Sequence, residues 1–398
     1  MGVSFFEDLL TAKLLAVAVA ITFPALASSQ APTAYPPKDT ASAQPKPAAV
    51  PPIDFSGILF ANYQYRGDRG PAKSSNRFDV ERAYLTFRMP AGEKLAIRVT
   101  ADLFQQTTPG NDSYYRGWTF RAKYAYLQYN YLNGADWRGH ARIGLLQTVF
   151  IEHDEQFWPR WISQSPTERA GYFSSADAGI STTVSFPRKL GEVYATVTNG
   201  PGYTSRETDR FKDFAARVTV TPWSAQTASL LRFVALSAWG YKGATASKFV
   251  SGGTGQTGPL GYGLDRDRWG VHVGNLHPRV TFGVEYASRR EEGELGANTA
   301  ALPVSVIDST GTLFSAYGLV RPFASKNTRP HPLSLLARYD RVNVNTDSDA
   351  RYDVVIGGII WDLSSKVSFS IDYQENNPTH GLPIAPMKTW FAHFVARY

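Results

Sequence analysis

From Phe55 onward, apolar and polar side chains alternate with a period of two along most of the chain. The stretch "KLAIRVTADLF" sets Leu95, Ile97, Val99, Ala101 and Leu103 on one face and Ala96, Arg98, Thr100 and Asp102 on the other. "FAARVTV" places Phe214, Ala216, Val218 and Val220 against Ala215, Arg217 and Thr219. "KVSFSIDYQ" places Val367, Phe369, Ile371 and Tyr373 against Ser368, Ser370, Asp372 and Gln374. Period two is the signature of a β-strand. About sixteen such segments follow one another, most of them about ten residues long. Their centres fall near Phe60, Tyr84, Val99, Tyr126, Ile143, Ser181, Ala195, Val218, Leu236, His272, Val284, Tyr317, Ala337, Ile356, Ser370 and Phe394. Turn signals separate them, among them "GDRG" at 67–70, "MPAGE" at 89–93, "FPRKLGE" at 186–192 and "TPWSAQ" at 221–226. Longer linkers, at 105–117, 200–210, 242–265, 288–311 and 375–386, alternate roughly with the short ones. Residues 150–170 have helical character, and no repeat at the spacing of propeller blades is present.

Ten residues at a tilt of about 45° is the strand length that a bilayer demands. Only helices and closed barrels cross hydrocarbon, because every backbone N–H and C=O there needs a partner. An even number of antiparallel strands, with short turns on one rim and long loops on the other, is the barrel solution. The chain therefore reads as all-β, a transmembrane antiparallel β-barrel over residues 53–398. Tyr63, Tyr65, Tyr129, Tyr131, Trp223, Trp239, Tyr241, Trp361 and Trp390 would supply the two interfacial aromatic girdles. A large soluble β-protein of the periplasm would show the same alternation. It would not account for the last ten residues, "TWFAHFVARY", which finish on an outward aromatic where soluble chains end in loose polar tails.

Composition narrows the picture. With 43% hydrophobic and 19% charged residues, the chain is too polar for a helical membrane protein. Its 398 residues exceed what one soluble core usually holds. Tyr 21, Phe 23 and Trp 9 suit strands, and cysteine is absent. Near the N-terminus, Lys13 precedes an apolar run from Leu14 to Phe23 and then Ala25-Leu26-Ala27, so residues 1–27 read as a signal peptide, although Glu7 and Asp8 also precede the run. Residues 28–52 are rich in Pro, Ala and Ser and read as an extended periplasmic linker. The net charge is +7, and +8 once residues 1–27 are removed, which favours an anionic partner.

Three motifs carry a resemblance. "RFDVERAYLTFR" spans 77–88, "AYLQYNY" with "ARIGLLQTVF" lies within 125–150, and "SPTERAGYF" is followed by "VYATVTNGPG", which ends at Gly202. In order and spacing this set resembles the phosphate-selective porin O and P family of the bacterial outer membrane. The resemblance covers residues 77–202; the other strands are generic barrel strands. It implies sixteen strands, a homotrimer, a pore lined with basic residues and a connection after the fifth strand that folds inward as a constriction loop. That connection is Ile151 to Phe173, with Glu152, His153, Asp154, Glu155, Arg160 and Arg169 as its candidate site residues. Where family members commonly carry Lys after the "RIG" strand, this chain has Gln147-Thr148. The acidic start of the loop repels phosphate unless Arg160, Arg169 and wall arginines outweigh it. The aromatic ending, with Trp390, Phe394 and Tyr398 on one face, resembles the signal read by the outer-membrane barrel assembly machinery, where Phe is the usual last residue.

Strand phase predicts the lining. An arginine at mid-bilayer costs about 2–4 kcal/mol on the lipid face, so charged residues should point inward. Arg82, Arg98, Lys123, Arg217, Arg338, Lys366 and Arg397 are the expected pore-lining cations. The alternative is that such arginines pair with Asp102, Asp340 and Asp372 and only stiffen the wall. His153, Asp154 and Glu155 are adjacent on a loop, a poor arrangement for one metal ion. "GGTGQTG" at 252–258 lacks the context of a phosphate cradle. The reading is a porin for small hydrophilic solutes, preferring anions, set among outer-membrane lipid and lipopolysaccharide, with neither cofactor nor nucleic acid. Two other classes remain: a barrel with a plugged lumen, and a barrel hydrolase with a Ser/His site on its outer wall, for which none of the seven histidines lies in a known nucleophile motif.

Overall fold

The structure, a computed structural model, describes residues 53–68, 73–105, 117–246, 263–295, 305–323, 332–348, 350–378, 382 and 385–398. The expected signal peptide and linker lie outside the described residues, as does "GGTGQTG". Sixteen strands form one closed antiparallel barrel. They are β1 (Asp54–Arg66), β2 (Asn76–Pro90), β3 (Leu95–Gln105), β4 (Trp118–Asn133), β5 (Arg138–Gln147), β6 (Ala176–Ser185), β7 (Gly191–Thr198) and β8 (Asp213–Val220). They continue as β9 (Val234–Ala246), β10 (Gly263–Leu276), β11 (Val280–Leu295), β12 (Ser305–Val320), β13 (Leu333–Asn345), β14 (Ala350–Asp362), β15 (Val367–Pro378) and β16 (Met387–Arg397). Each pairs with its neighbours in sequence, and β16 pairs with β1 from Ile58↔Arg397 to Arg66↔Thr389. Each of the sixteen expected centres falls in its own strand.

Alternation sorts the side chains. Ile143, Ile180, Phe214 and Ile371 stand outward and exposed, while Thr100, Asp102, Thr219, Ser370 and Asp372 are buried inside. An outer surface this apolar is stable only against lipid. Tyr65, Tyr129, Tyr131, Trp361 and Trp390 are exposed, as interfacial rings should be. Trp239 and Tyr241 correct the expected girdle. Trp239 points inward, its ring 4.8 Å from that of Phe173, and the Tyr241 hydroxyl donates to inward-facing Asp213. The outer face of β9 is left with small residues such as Ala238 and Gly240.

The connections alternate only in part: tight turns join β2–β3, β4–β5, β6–β7, β10–β11 and β14–β15 on the rim where β16 ends, but β8–β9 and β12–β13 on that rim are long and β13–β14 on the other is short. Two long linkers are shorter than the pattern suggested, because β11 reaches Leu295 and β12 begins at Ser305. β9 likewise runs to Ala246 and β10 starts at Gly263. Beyond the apolar band both faces of a strand meet water, so alternation stops while the hydrogen-bonded ladder continues. Arg290 and Asp308, an exposed ion pair at 2.6 Å, lie in that continuation.

The ends close on each other. The Gly57 N–H donates to the Tyr398 carbonyl at 3.2 Å and the Tyr398 N–H returns to Gly57 at 3.1 Å. A Cβ at Gly57 would lie 2.1 Å from Tyr398 Cε1, so only glycine lets the terminal ring fold across β1. The ring also packs edge-on to Phe55 at 5.3 Å.

Residues 148–175 turn into the barrel. Two single-turn helices, α1 (Ile151–Asp154) and α2 (Pro166–Arg169), stand where one helical segment was expected. Pro159 and Pro166 interrupt any longer helix. Phe150, Ile151, Phe157, Trp158, Ile162 and Tyr172 are almost wholly buried. They pack on inward side chains of β9–β14, including Trp239, Leu313, Tyr317, Leu336, Val354 and Ile356. This explains why β14, "DVVIGGII", is apolar on both faces: one meets lipid, the other the loop.

Candidate pore constriction

The loop covers one side of the lumen and leaves a space against the other. A cavity of about 360 Å³ lies between the loop and the inner wall of β1–β4 and β16. On the wall, cations stand on successive strands. Arg82 on β2 and Arg121 on β4 flank Asp102 on β3, at 3.3 and 3.0 Å. Arg121 also lies over the Phe104 ring at 3.8 Å and bonds the Tyr203 hydroxyl at 3.0 Å. Tyr203 belongs to the β7–β8 connection, and burial raises its hydroxyl pKa, so it stays a neutral donor to Asp102. Arg98 reaches Thr100 at 3.2 Å and Glu152 of the loop at 3.6 Å, and lies over the Tyr124 ring at 4.5 Å. Arg142 on β5 is held by Gln128 at 2.9 Å and Gln147 at 3.2 Å.

Lys123 sits at a bulge. Thr100 pairs with Tyr124 but Ala101 with Ala122, leaving Lys123 as the extra residue. A bulge lets two consecutive side chains face the same way, and both Lys123 and Tyr124 are buried inside. The Lys123 ammonium donates to the Tyr84 hydroxyl at 3.1 Å and lies 4.2 Å from that ring's centre.

The loop presents the opposite sign. Glu152, 44% exposed, accepts from Gln147 at 3.0 Å. Arg160 is held by Glu155 at 2.5 Å and by both oxygens of Glu168. Arg160 is thus neutralised inside the loop. Arg169 bonds the Ser163 hydroxyl at 3.2 Å.

The remaining predicted residues serve the loop's seat or lie elsewhere. Arg217 donates to the Val149 carbonyl at 2.8 Å and pairs with Glu192 at 2.5 Å. Arg338, fully buried, pairs with Asp340 at 2.6 Å and donates to the Gln164 carbonyl at 2.6 Å. Both point inward but lie against the loop rather than the passage. His153 bonds Ser237 at 2.9 Å and Asp154 accepts from Tyr317, both under the loop. That Ser–His pair faces the inside, not the lipid-facing wall. Lys366 is a correction: it lies exposed in the turn before β15, where the alternation carries on past the end of the ladder. Arg397 borders the cavity and donates to Ser368 at 3.3 Å. The alternative of wall stiffening describes Arg82 and Arg338, whose partners are the expected Asp102 and Asp340. Asp372 instead faces His393 at 3.3 Å.

Sequence reasoning missed Arg121, Arg142 and Glu168. Arg142 was within reach, since Ala141 and Ile143 flank it with the outward phase. Arg121 was hidden by the β4 bulge, beyond which the phase reverses.

Neither a family model nor a curated protein matches the sequence. Solved structures do match its shape. Vibrio cholerae OmpT, in a trimer form, superposes with a TM-score of 0.54 at 12% identity, covering 88% of this chain and 100% of that one. Salmonella typhi OmpF, in a complex with daunomycin, gives 0.57 at 12% identity over 87% and 97%. The anion-selective porin of Comamonas acidovorans gives 0.54 at 10% identity over 87% and 99%. At such identities the likeness establishes the fold, and that fold is the sixteen-stranded barrel of outer-membrane porins.

Proposed function

We propose that this chain is a porin of the bacterial outer membrane through which small hydrophilic solutes diffuse, with a preference for anions. The observation that carries the reading is the row of inward cations on β2–β5, Arg82, Arg98, Arg121, Lys123 and Arg142, beside a loop whose Arg160 is already held by two glutamates. Fixed positive charge along a narrow aqueous path lowers the barrier for anions and raises it for cations. Arg82 and Arg121 share one carboxylate, so that trio is net positive. Kinship with the phosphate-selective porin O and P family rests on the three sequence motifs. Phosphate is one anion the row would take, against the opposition of Glu152 and Glu155. A homotrimer fits the same reading, as does a role for Trp390, Phe394 and Tyr398 in recognition by the barrel assembly machinery. Residues 1–27 act as the signal peptide and 28–52 as the linker.

Liposome swelling tests the channel itself. Proteoliposomes should swell in small sugars and organic anions at rates that fall with solute size. Absence of swelling, with the barrel folded by its heat-modifiable migration, would mean a plugged lumen.

A further inference from the structure

The cavity at the constriction is not lined as an inorganic ion requires. Ile58, Phe60, Tyr84, Tyr124, Pro159 and Trp161 border it beside Arg98, Lys123, Arg160 and Arg397, with Glu152 and Glu155 on the loop side. A hydrated chloride or phosphate gains nothing from aliphatic and aromatic walls, and a purely electrostatic filter has no use for them. The rings are fixed rather than incidental. Phe60 and Tyr84 meet edge-on at 5.7 Å, and Trp161 belongs to the same buried cluster, which ties β1 and β2 to the loop. Ile58 packs on that cluster from the strand that closes the barrel.

The cations beside them differ in their engagement. Arg160 is occupied by two glutamates, whereas Arg98 meets only one half-exposed carboxylate at 3.6 Å. Lys123 has no ion pair among the described residues; its hydrogen bond goes to the Tyr84 phenol. An ammonium resting on aromatic faces, with a neutral partner, is a site at which a carboxylate can add without displacing an existing ion pair. The volume, about 360 Å³, lies within the range of small-molecule sites and equals roughly a dozen waters.

Resting on the reading that the passage carries anions, we propose that its constriction is a binding subsite for small aromatic carboxylates. The carboxylate accepts from Lys123 and Arg98, and the ring lies along Ile58, Phe60 and Trp161. Such a solute gains twice, from charge and from leaving water, where acetate gains only once and a neutral ring only the other.

The test uses the full-length barrel in planar bilayers, with benzoate as probe and acetate and benzyl alcohol as controls, each titrated against a chloride current. Benzoate should interrupt the current at a concentration about tenfold below that for acetate, the gain expected when roughly half a phenyl ring leaves water. Benzyl alcohol should not interrupt it. Each variant's own chloride current serves as its reference. Ile58→Ser and Trp161→Ala should each erase the difference between benzoate and acetate. Lys123→Met should weaken both. Ile58 lies outside the loop, so it keeps the test valid if Trp161→Ala disturbs the loop. Equal potency of benzoate and acetate in a channel that still prefers anions overturns the subsite alone. A cation-preferring or silent channel overturns the porin reading and the subsite with it.

Discussion

Glu152 stands further into solvent than the other acidic side chains of the loop, at 44% exposed against 23% for Glu155 and 10% for Glu168. It faces Arg98 across 3.6 Å, so it masks part of the wall's charge. Glu152→Gln removes one negative charge, keeps the shape, and can still accept from Gln147. At about 5 Å and a dielectric constant of about 80, a unit charge shifts a passing monovalent ion by roughly 0.8 kcal/mol, which screening at about 0.1 M trims to roughly 0.5 kcal/mol. Anions move down by that amount and cations up. The anion-to-cation permeability ratio should therefore rise by about 1 kcal/mol, or about fivefold. Arg98→Gln should lower it by a similar factor. Reversal potentials under a salt gradient in planar bilayers measure both, and both effects should shrink in concentrated salt, where the Debye length falls to about 3 Å. If Glu152→Gln leaves the ratio unchanged while Arg98→Gln lowers it, the carboxylate does not face the permeating ion, and the assignment of a charged passage between wall and loop is wrong.

Three further outcomes follow from the geometry. Arg338→Met leaves Asp340 buried without its partner and the Gln164 carbonyl without its donor. A cost of about 3–5 kcal/mol should appear as a lower unfolding temperature and noisier single-channel currents from a loosened loop. Gly57→Val forces the Tyr398 ring off β1, and the overpacking, about 1–3 kcal/mol, should lower the temperature at which heat-modifiable migration is lost. Tyr398→Ser, which keeps the backbone pairing to Gly57 but removes the terminal ring, should reduce the amount of barrel assembled in the outer membrane, as read by membrane fractionation, while Tyr398→Phe should restore it.

The barrel was legible because period two persists through sixteen segments, and a repeated constraint survives local exceptions. Its strand ends were not, since alternation ends where lipid ends and the ladder from Arg289 to Leu295 does not. Lys366 was read inward by extending that alternation one residue past the strand. The inward phase of Arg217 and Arg338 was legible, but not that the loop would cover them. Arg338 meets Gln164 across 174 positions of chain, and Tyr317 meets Asp154 across 163. Contacts at such separations leave no local periodicity. The one trace was β14, apolar on both faces, which marks where the loop leans. Trp239 misled for the same reason: a tryptophan on a barrel strand suggests an interface until a loop claims it.

The reversal potential of the unaltered channel under a KCl gradient tests the central claim most directly. A basic wall that outweighs the acidic loop predicts a potential displaced toward that of chloride. A displacement toward potassium would mean that Glu152 and Glu155 govern the passage and that the cations on β2–β5 serve only the wall.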